Sequence, residues 1–274
     1  MGAPAPLPQD ENMGISDTPL LECTAVSRSF GAVQALHRVD FEVRRGEVMA
    51  LVGDNGAGKS TLIKGVVGIH PFDEGEVRFE GRAVNIHGPR DAANLGIEVV
   101  YQDLALADNL DVVANMFLGR ERTRNRIVLD ESSMERASRE ALDSLSVTTL
   151  RSVRQRVAGL SGGQRQAVAV AKSVMWDSKL VILDEPTAAL GVAQTRQVLD
   201  LVRRLAEKGL AVVIISHNLH DVFDAADRIT VLRLGQRVAT LKTSETTQQE
   251  VVHAITAGTL DHVPGMAGAG AIEG

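Results

Sequence analysis

The stretch Gly53-Asp54-Asn55-Gly56-Ala57-Gly58-Lys59-Ser60-Thr61 decides how this chain is read. It satisfies the pattern G-x-x-x-x-G-K-[ST], a loop that wraps its backbone around phosphate groups. Its flanks carry the context the pattern needs. Before it, Val48-Met49-Ala50-Leu51-Val52 is a short apolar run between Gly46 and Gly53, which predicts a buried parallel strand. After it, Thr61-Leu62-Ile63-Lys64-Gly65-Val66-Val67 runs without proline as far as Gly68, predicting a helix with a glycine stop. Gly53, Gly56 and Gly58 let the backbone turn through positive φ without a Cβ clash. The turn aims N–H groups inward, and the following helix adds its partial positive end at the same spot. In a loop of this kind Lys59 reaches the β- and γ-phosphates and the Ser60 hydroxyl ligands Mg²⁺.

The chain has 274 residues, 44% hydrophobic and 23% charged, enough for one large domain or two small ones with a substantial core. Its formal net charge of −6 argues against a nucleic-acid-binding body, which would show a basic face. No apolar run approaches the roughly 18 residues of a membrane helix. The N-terminus has neither a basic start nor an apolar stretch of the secretory kind. Cys23 is the single cysteine, so no intrachain disulfide is possible and a reducing compartment fits. The expectation is a protein without membrane spans, at most docked onto a membrane from the cytoplasmic side.

Residues 1–19 hold four of the eight prolines and read as a flexible leader. Short strands are expected at 20–26, 39–43 and 76–79, with Glu80-Gly81 as a turn, making an antiparallel flap beside a parallel core. Gly96-Ile97-Glu98-Val99-Val100-Tyr101 is another β-rich run. A helical region follows, about residues 103–165. In it Met134, Ala137, Ala141, Leu142 and Leu145 fall near 3.6-residue spacing, Asp130 is a candidate N-cap, and Glu135 and Arg139 form an i,i+4 pair. Within this region residues 120–126 are rich in arginine, a solvated loop or a face for anionic lipid or a partner. Residues 165–175 read as a helix, Leu180-Val181-Ile182-Leu183 as a second buried strand, 195–208 as an amphipathic helix closed by Gly209, and 210–215 as a third buried strand. The alternation predicts an α/β fold with a parallel sheet. The domain is expected over 20–245, followed by a C-terminal segment 246–274 whose Gly/Ala-rich end, 265–274, reads as disordered.

Ligands of open parallel sheets bind beyond the carboxyl ends of the strands. Four candidate elements fall at such ends: the phosphate loop, Gln102, Asp184-Glu185 and His217. Asp184 follows four apolar residues, so its carboxylate leaves a buried strand in need of a cation, and Mg²⁺ shared with Ser60 and phosphate oxygens suits it. Glu185 beside it is placed to take a proton from an attacking water. Gln102 can orient water or touch Mg²⁺, and His217 can donate to a γ-phosphate oxygen. A surface glutamine and a capping histidine are the alternatives. His220 reads as surface.

Leu160-Ser161-Gly162-Gly163-Gln164 resembles the L-S-G-G-Q signature of the ATP-binding cassette family. The order of phosphate loop, Gln102, signature, acidic strand and His217 is also similar, over about residues 20–241. The resemblance implies a P-loop NTPase (RecA-like) core with an antiparallel β subdomain and an inserted helical subdomain. It further implies ATP and Mg²⁺, with Phe30 at the position of the aromatic that stacks on adenine, although a core phenylalanine is the rival reading there. In that family two nucleotide-binding domains pair head to tail, and Ser161, Gly162, Gly163 and Gln164 of one complete the ATP site of the other. Gly191 departs from the pattern, since the family often has Asp after Ala188-Ala189-Leu190. The wording of 188–192 and 100–106 is similar to the monosaccharide-importer branch. That branch implies a second copy as partner, membrane-spanning permease subunits, an extracytoplasmic sugar-binding protein, and no nucleic acid. A cassette ATPase without a membrane partner, an importer of another small solute, and a nucleotide-sensing subunit with negligible turnover stay open at this point.

Overall fold

A computed structural model describes residues 18–125 and 127–259. Residues 1–17 of the expected flexible leader and the Gly/Ala-rich end lie outside the described residues, while Pro19, expected in that leader, begins the first strand. In chain order the elements are β1 (Pro19–Phe30), β2 (Val33–Arg44), β3 (Val48–Val52), α1 (Lys59–Val66), β4 (Glu74–Phe79), β5 (Arg82–Ala83), α2 (Pro89–Leu95) and β6 (Ile97–Val100). Then come α3 (Val112–Phe117), β7 (Thr123–Arg124), β8 (Val128–Leu129), α4 (Glu131–Ser144) and α5 (Gly162–Val174). The last third contains β9 (Leu180–Asp184), α6 (Val192–Glu207), β10 (Ala211–Ile215), α7 (Leu219–Ala225), β11 (Arg228–Arg233), β12 (Gln236–Lys242) and α8 (Gln248–Ala257).

The strands form an antiparallel sheet in the order β2-β1-β4-β5 and a six-stranded sheet in the order β12-β11-β3-β10-β9-β6. In the larger sheet only β12 runs antiparallel to its neighbour. Both faces of its central strands are buried, and alternation decides which core each side chain joins. Val48, Ala50, Val52, Val181, Leu183, Val212 and Ile214 enter one cluster with residues of α3, α5 and α6. Met49, Leu51, Leu180, Ile182, Val213 and Ile215 enter the other, with α1 and the antiparallel sheet. Each such fully buried Leu, Ile or Val contributes about 1.5–3 kcal/mol of transfer free energy. The continuous apolar runs noted in the sequence are therefore strands covered on two sides, by helices on one and by the flap and α1 on the other.

The inserted helices are set by local signals. The Asp130 side chain accepts from the Ser133 N–H and caps α4, and Arg139 pairs with Glu135 at 2.7 Å. The arginine-rich stretch is not simply a loop: Thr123 and Arg124 pair with Leu129 and Val128 in a short hairpin. Two positions of strand on each side are too few to register in an alternation pattern. The expected domain end at 245 falls between β12 and α8, and α8 buries Val251 and Ala254 in the same core.

Candidate functional site

The carboxyl ends of β3, β9 and β10 open onto a cleft of about 670 Å³ lined by Asn55, Gly56, Ala57, Gly58, Lys59, Ser60 and Thr61, by Gln102, Asp184 and Glu185, and by Phe30. The phosphate loop is held in shape by backbone contacts that leave little room. Gly53 has φ +150°, and a Cβ there would stand 2.2 Å from the Leu232 carbonyl oxygen. Gly58, the residue before α1, has φ +102° and would meet Leu36 and the Ala35 carbonyl inside 3 Å. Its conformation is that of a left-handed cap with no side chain closing the helix end. The first N–H groups of α1 therefore face the cleft without a side-chain acceptor of their own cap. Lys59 Nζ donates to the Gly53 carbonyl at 2.6 Å and the Asp54 carbonyl at 3.0 Å, which folds the ammonium back over the cradle. Burial lowers the Lys59 pKa, opposed by Glu185, Asp54 and Asp184.

Asp184 ends β9 in register with Ile215 of β10. Burial, reinforced by the neighbouring Glu185 charge, raises its pKa despite Lys59 and Lys64. Glu185 takes φ +49°, its N–H donates to the Ile215 carbonyl at 2.9 Å, and its Oε1 lies 2.9 Å from His217 Nδ1. A glutamate in the left-handed region is held there by its surroundings. His217 itself is 77% exposed and does not line the cleft directly; it reaches the cleft through Glu185. Gln102 lines the cleft from the loop after β6. Phe30 is 42% exposed, which sets aside the core reading. Its ring meets His70 edge-on at 5.3 Å, with the Arg28 guanidinium 5.0 Å from its centre.

Ser161 stands apart. It caps α5, its side chain accepting from the Gln164 N–H while the Gln164 side chain accepts from the Ser161 N–H at 2.9 Å. None of Ser161, Gly162, Gly163 or Gln164 lines the cleft that holds the phosphate loop. Gly191 caps α6 in extended backbone, with nothing within 4 Å of where a Cβ would be. His220 is 77% exposed, as a surface residue should be.

The sequence reading passed over the far wall of the cleft, formed by Val33, Gln34, Ala35, Leu234 and Gly235. Gly235 sits in the β11–β12 turn, accepting from His37 N–H at 2.8 Å and donating to the Ala57 carbonyl at 3.0 Å. The signal was present: Ile229-Thr230-Val231-Leu232 is a β-rich run and Gly235 a turn residue.

A parallel α/β core with a phosphate loop and strand-end carboxylates defines a nucleotide-binding ATPase of the P-loop type. The family described as ABC transporter matches residues 36–188, and the chain belongs to that family. It is 48% identical over 244 residues to a xylose/arabinose import ATP-binding protein of Sulfolobus acidocaldarius, covering 89% of this chain and 96% of that one. It is 44% identical to a fructose import ATP-binding protein of Rhizobium meliloti, covering 87% of this chain and 94% of that one. Among solved structures, the ADP conformation of an ATP-binding cassette of an ABC transporter superposes with a TM-score of 0.74 at 27% identity, covering 87% of this chain and 95% of that one.

Proposed function

We propose that this chain is the ATP-hydrolysing subunit of a monosaccharide importer, working as a head-to-tail pair on permease subunits at the cytoplasmic face of a bacterial membrane. The observation that carries the pairing is the split between the two anion-binding corners. The cleft contains the phosphate loop, Gln102, Asp184 and Glu185, whereas Ser161, Gly162 and Gly163 open elsewhere on the same chain. A second copy brings its serine-glycine corner to the γ-phosphate, so ATP becomes part of the interface and its hydrolysis loosens the pair. Phe30 offers its exposed ring to the base, and the amides of the loop and Lys59 hold the phosphates. Glu185 accepts the proton of the attacking water, Gln102 and His217 orient the water and the γ-phosphate, and Gln164 fixes the corner lent to the partner.

Mg²⁺ fits the donor set. Ser60 and Asp184 supply hard oxygen ligands in the cleft. No group of three or more His, Cys, Asp or Glu able to hold a metal occurs among the described residues. That accords with an ion carried largely by nucleotide phosphates and water. When bound, it neutralises charge between the β- and γ-phosphates.

The sugar reading is supported by relatives named for import of xylose/arabinose and fructose. Permease subunits and an extracytoplasmic sugar-binding protein complete the expected assembly. No described helix is long and apolar enough to cross a membrane, so passage of the sugar belongs to those partners. The test is Glu185→Gln, which should lower phosphate release by about 10²–10⁴-fold, the range of a lost general base. With ATP the variant should run as a dimer on a sizing column. A monomer under those conditions would contradict the paired site.

A further inference from the structure

Thr187 and Asp221 take no part in the scheme above, yet they make a close, part-buried contact. The Thr187 hydroxyl donates to Asp221 Oδ2 at 2.6 Å across 34 residues of chain. Asp221 is 4% exposed and belongs to the first turn of α7. Among the described residues it has no ion-pair partner, so the hydroxyl supplies the polar contact a buried carboxylate needs. Thr187 lies two residues after Glu185, and Asp221 lies four residues after His217. Glu185 Oε1 and His217 Nδ1 meet at 2.9 Å. Two hydrogen bonds and two short stretches of chain therefore close a ring: Glu185, Thr187, Asp221, His217 and back.

The ring explains how two awkward residues are kept in place. Glu185 takes φ +49°, a conformation that persists only where neighbouring contacts enforce it. His217 is 77% exposed, so packing does not fix its ring. The backbone secures Glu185 through its N–H to Ile215 and its carbonyl to the Ala188 N–H at 3.1 Å. It does not tie that turn to α7. The Thr187–Asp221 bond does.

We infer that Thr187 and Asp221 are positioning residues for hydrolysis, holding the Glu185 turn and the His217 segment in mutual register. The inference rests on the reading of Glu185 as the base. Thr187→Val should lower kcat for phosphate release by about ten- to a hundredfold, the scale of a misplaced reacting group. Affinity for a slowly hydrolysed ATP analogue should be unchanged, because the phosphate loop is untouched. Thr187→Ser, which keeps the hydroxyl, should restore turnover. Thr187→Val combined with Asp221→Leu replaces both partners by apolar groups and should fold even where the single variant does not. That double variant should remain slow. Wild-type turnover in the double variant, or in Thr187→Val beside an inactive Glu185→Gln, would overturn the inference. So would equal loss of analogue binding and turnover, which marks a merely structural contact. A fully active Glu185→Gln would instead sink the reading of the base, and this inference with it.

Discussion

The two glycine-containing helix starts of this chain, at α1 and at α5, look alike in sequence and differ in what they have left to offer. Gly58 opens α1 with left-handed backbone and no capping side chain, so its amides point at whatever enters the cleft. Ser161 opens α5 with a reciprocal cap in which its hydroxyl accepts from the Gln164 N–H and the Gln164 side chain accepts from the Ser161 N–H. The first leaves its N–H groups open to the cleft within its own chain. The second is a finished helix end that presents a hydroxyl and flanking glycines to something outside. Under the proposed pairing, such a corner is stable in the lone subunit and would act when a second copy brings a phosphate to it.

The sharpest way to break this contrast is Lys59→Ala. Removing the ammonium from the phosphate-loop corner should abolish detectable hydrolysis and weaken nucleotide binding, read by phosphate release and by titration of a fluorescent nucleotide. Unchanged hydrolysis would mean that the phosphate loop is not the reaction centre.

A paired substitution comes next. Gly53→Ala places a Cβ 2.2 Å from a backbone oxygen at φ +150°, and neither the carbonyl nor the φ can give. A loss of about 1–3 kcal/mol from backbone strain is expected in chemical unfolding, with more from the clash. Gly162→Ala meets the Leu190 methyl at 2.8 Å and Gln194 Oε1 at 3.8 Å, both ends of flexible side chains. Its unfolding midpoint should hold while its ATP-driven dimer weakens on a sizing column. Equal destabilisation of both variants would erase the distinction drawn between the two corners.

The smallest effect concerns pH. Asp184 has its pKa raised by burial and by Glu185, so its neutral form is favoured by folding. The native state then loses stability as pH rises through the raised value, and Asp184→Asn does not pay that penalty. Without nucleotide the variant should melt a few degrees above the wild type at neutral pH, with the gain fading below the ordinary carboxylate range, while losing activity. A melting temperature below the wild type at neutral pH would show that Lys59 and Lys64 outweigh burial at this position.

Much of this was legible in the residues. Val48–Val52, Leu180–Leu183 and Ala211–Ile215 are unbroken apolar runs because both their faces are covered, and such runs read as buried strands at sight. The candidate site follows from them, since Asp184 ends β9, Glu185 and His217 follow the ends of β9 and β10, and Lys59 closes the loop after β3. What escaped was whatever depends on distant partners. The turn bearing Leu234 and Gly235 becomes a cleft wall only because β11 slots beside β3. The β7–β8 hairpin is too short to carry a period. Thr187 looks like an ordinary turn residue until α7 brings Asp221 to it.

Arg228 bonds at once to Glu42 of β2, at 2.8 Å, and to the buried Glu47 just ahead of β3, at 3.2 Å. Burial raises the Glu47 pKa against the pull of the two arginines near it, yet the pair survives at the seam between the sheets. Phe30 belongs to one of those sheets and Lys59 follows a strand of the other. Fastened this way, the two behave as the jaws of a caliper set to one span. In the proposed function, a ligand with both an aromatic base and a triphosphate tail would touch both jaws together, and a shorter or tailless molecule would reach only one.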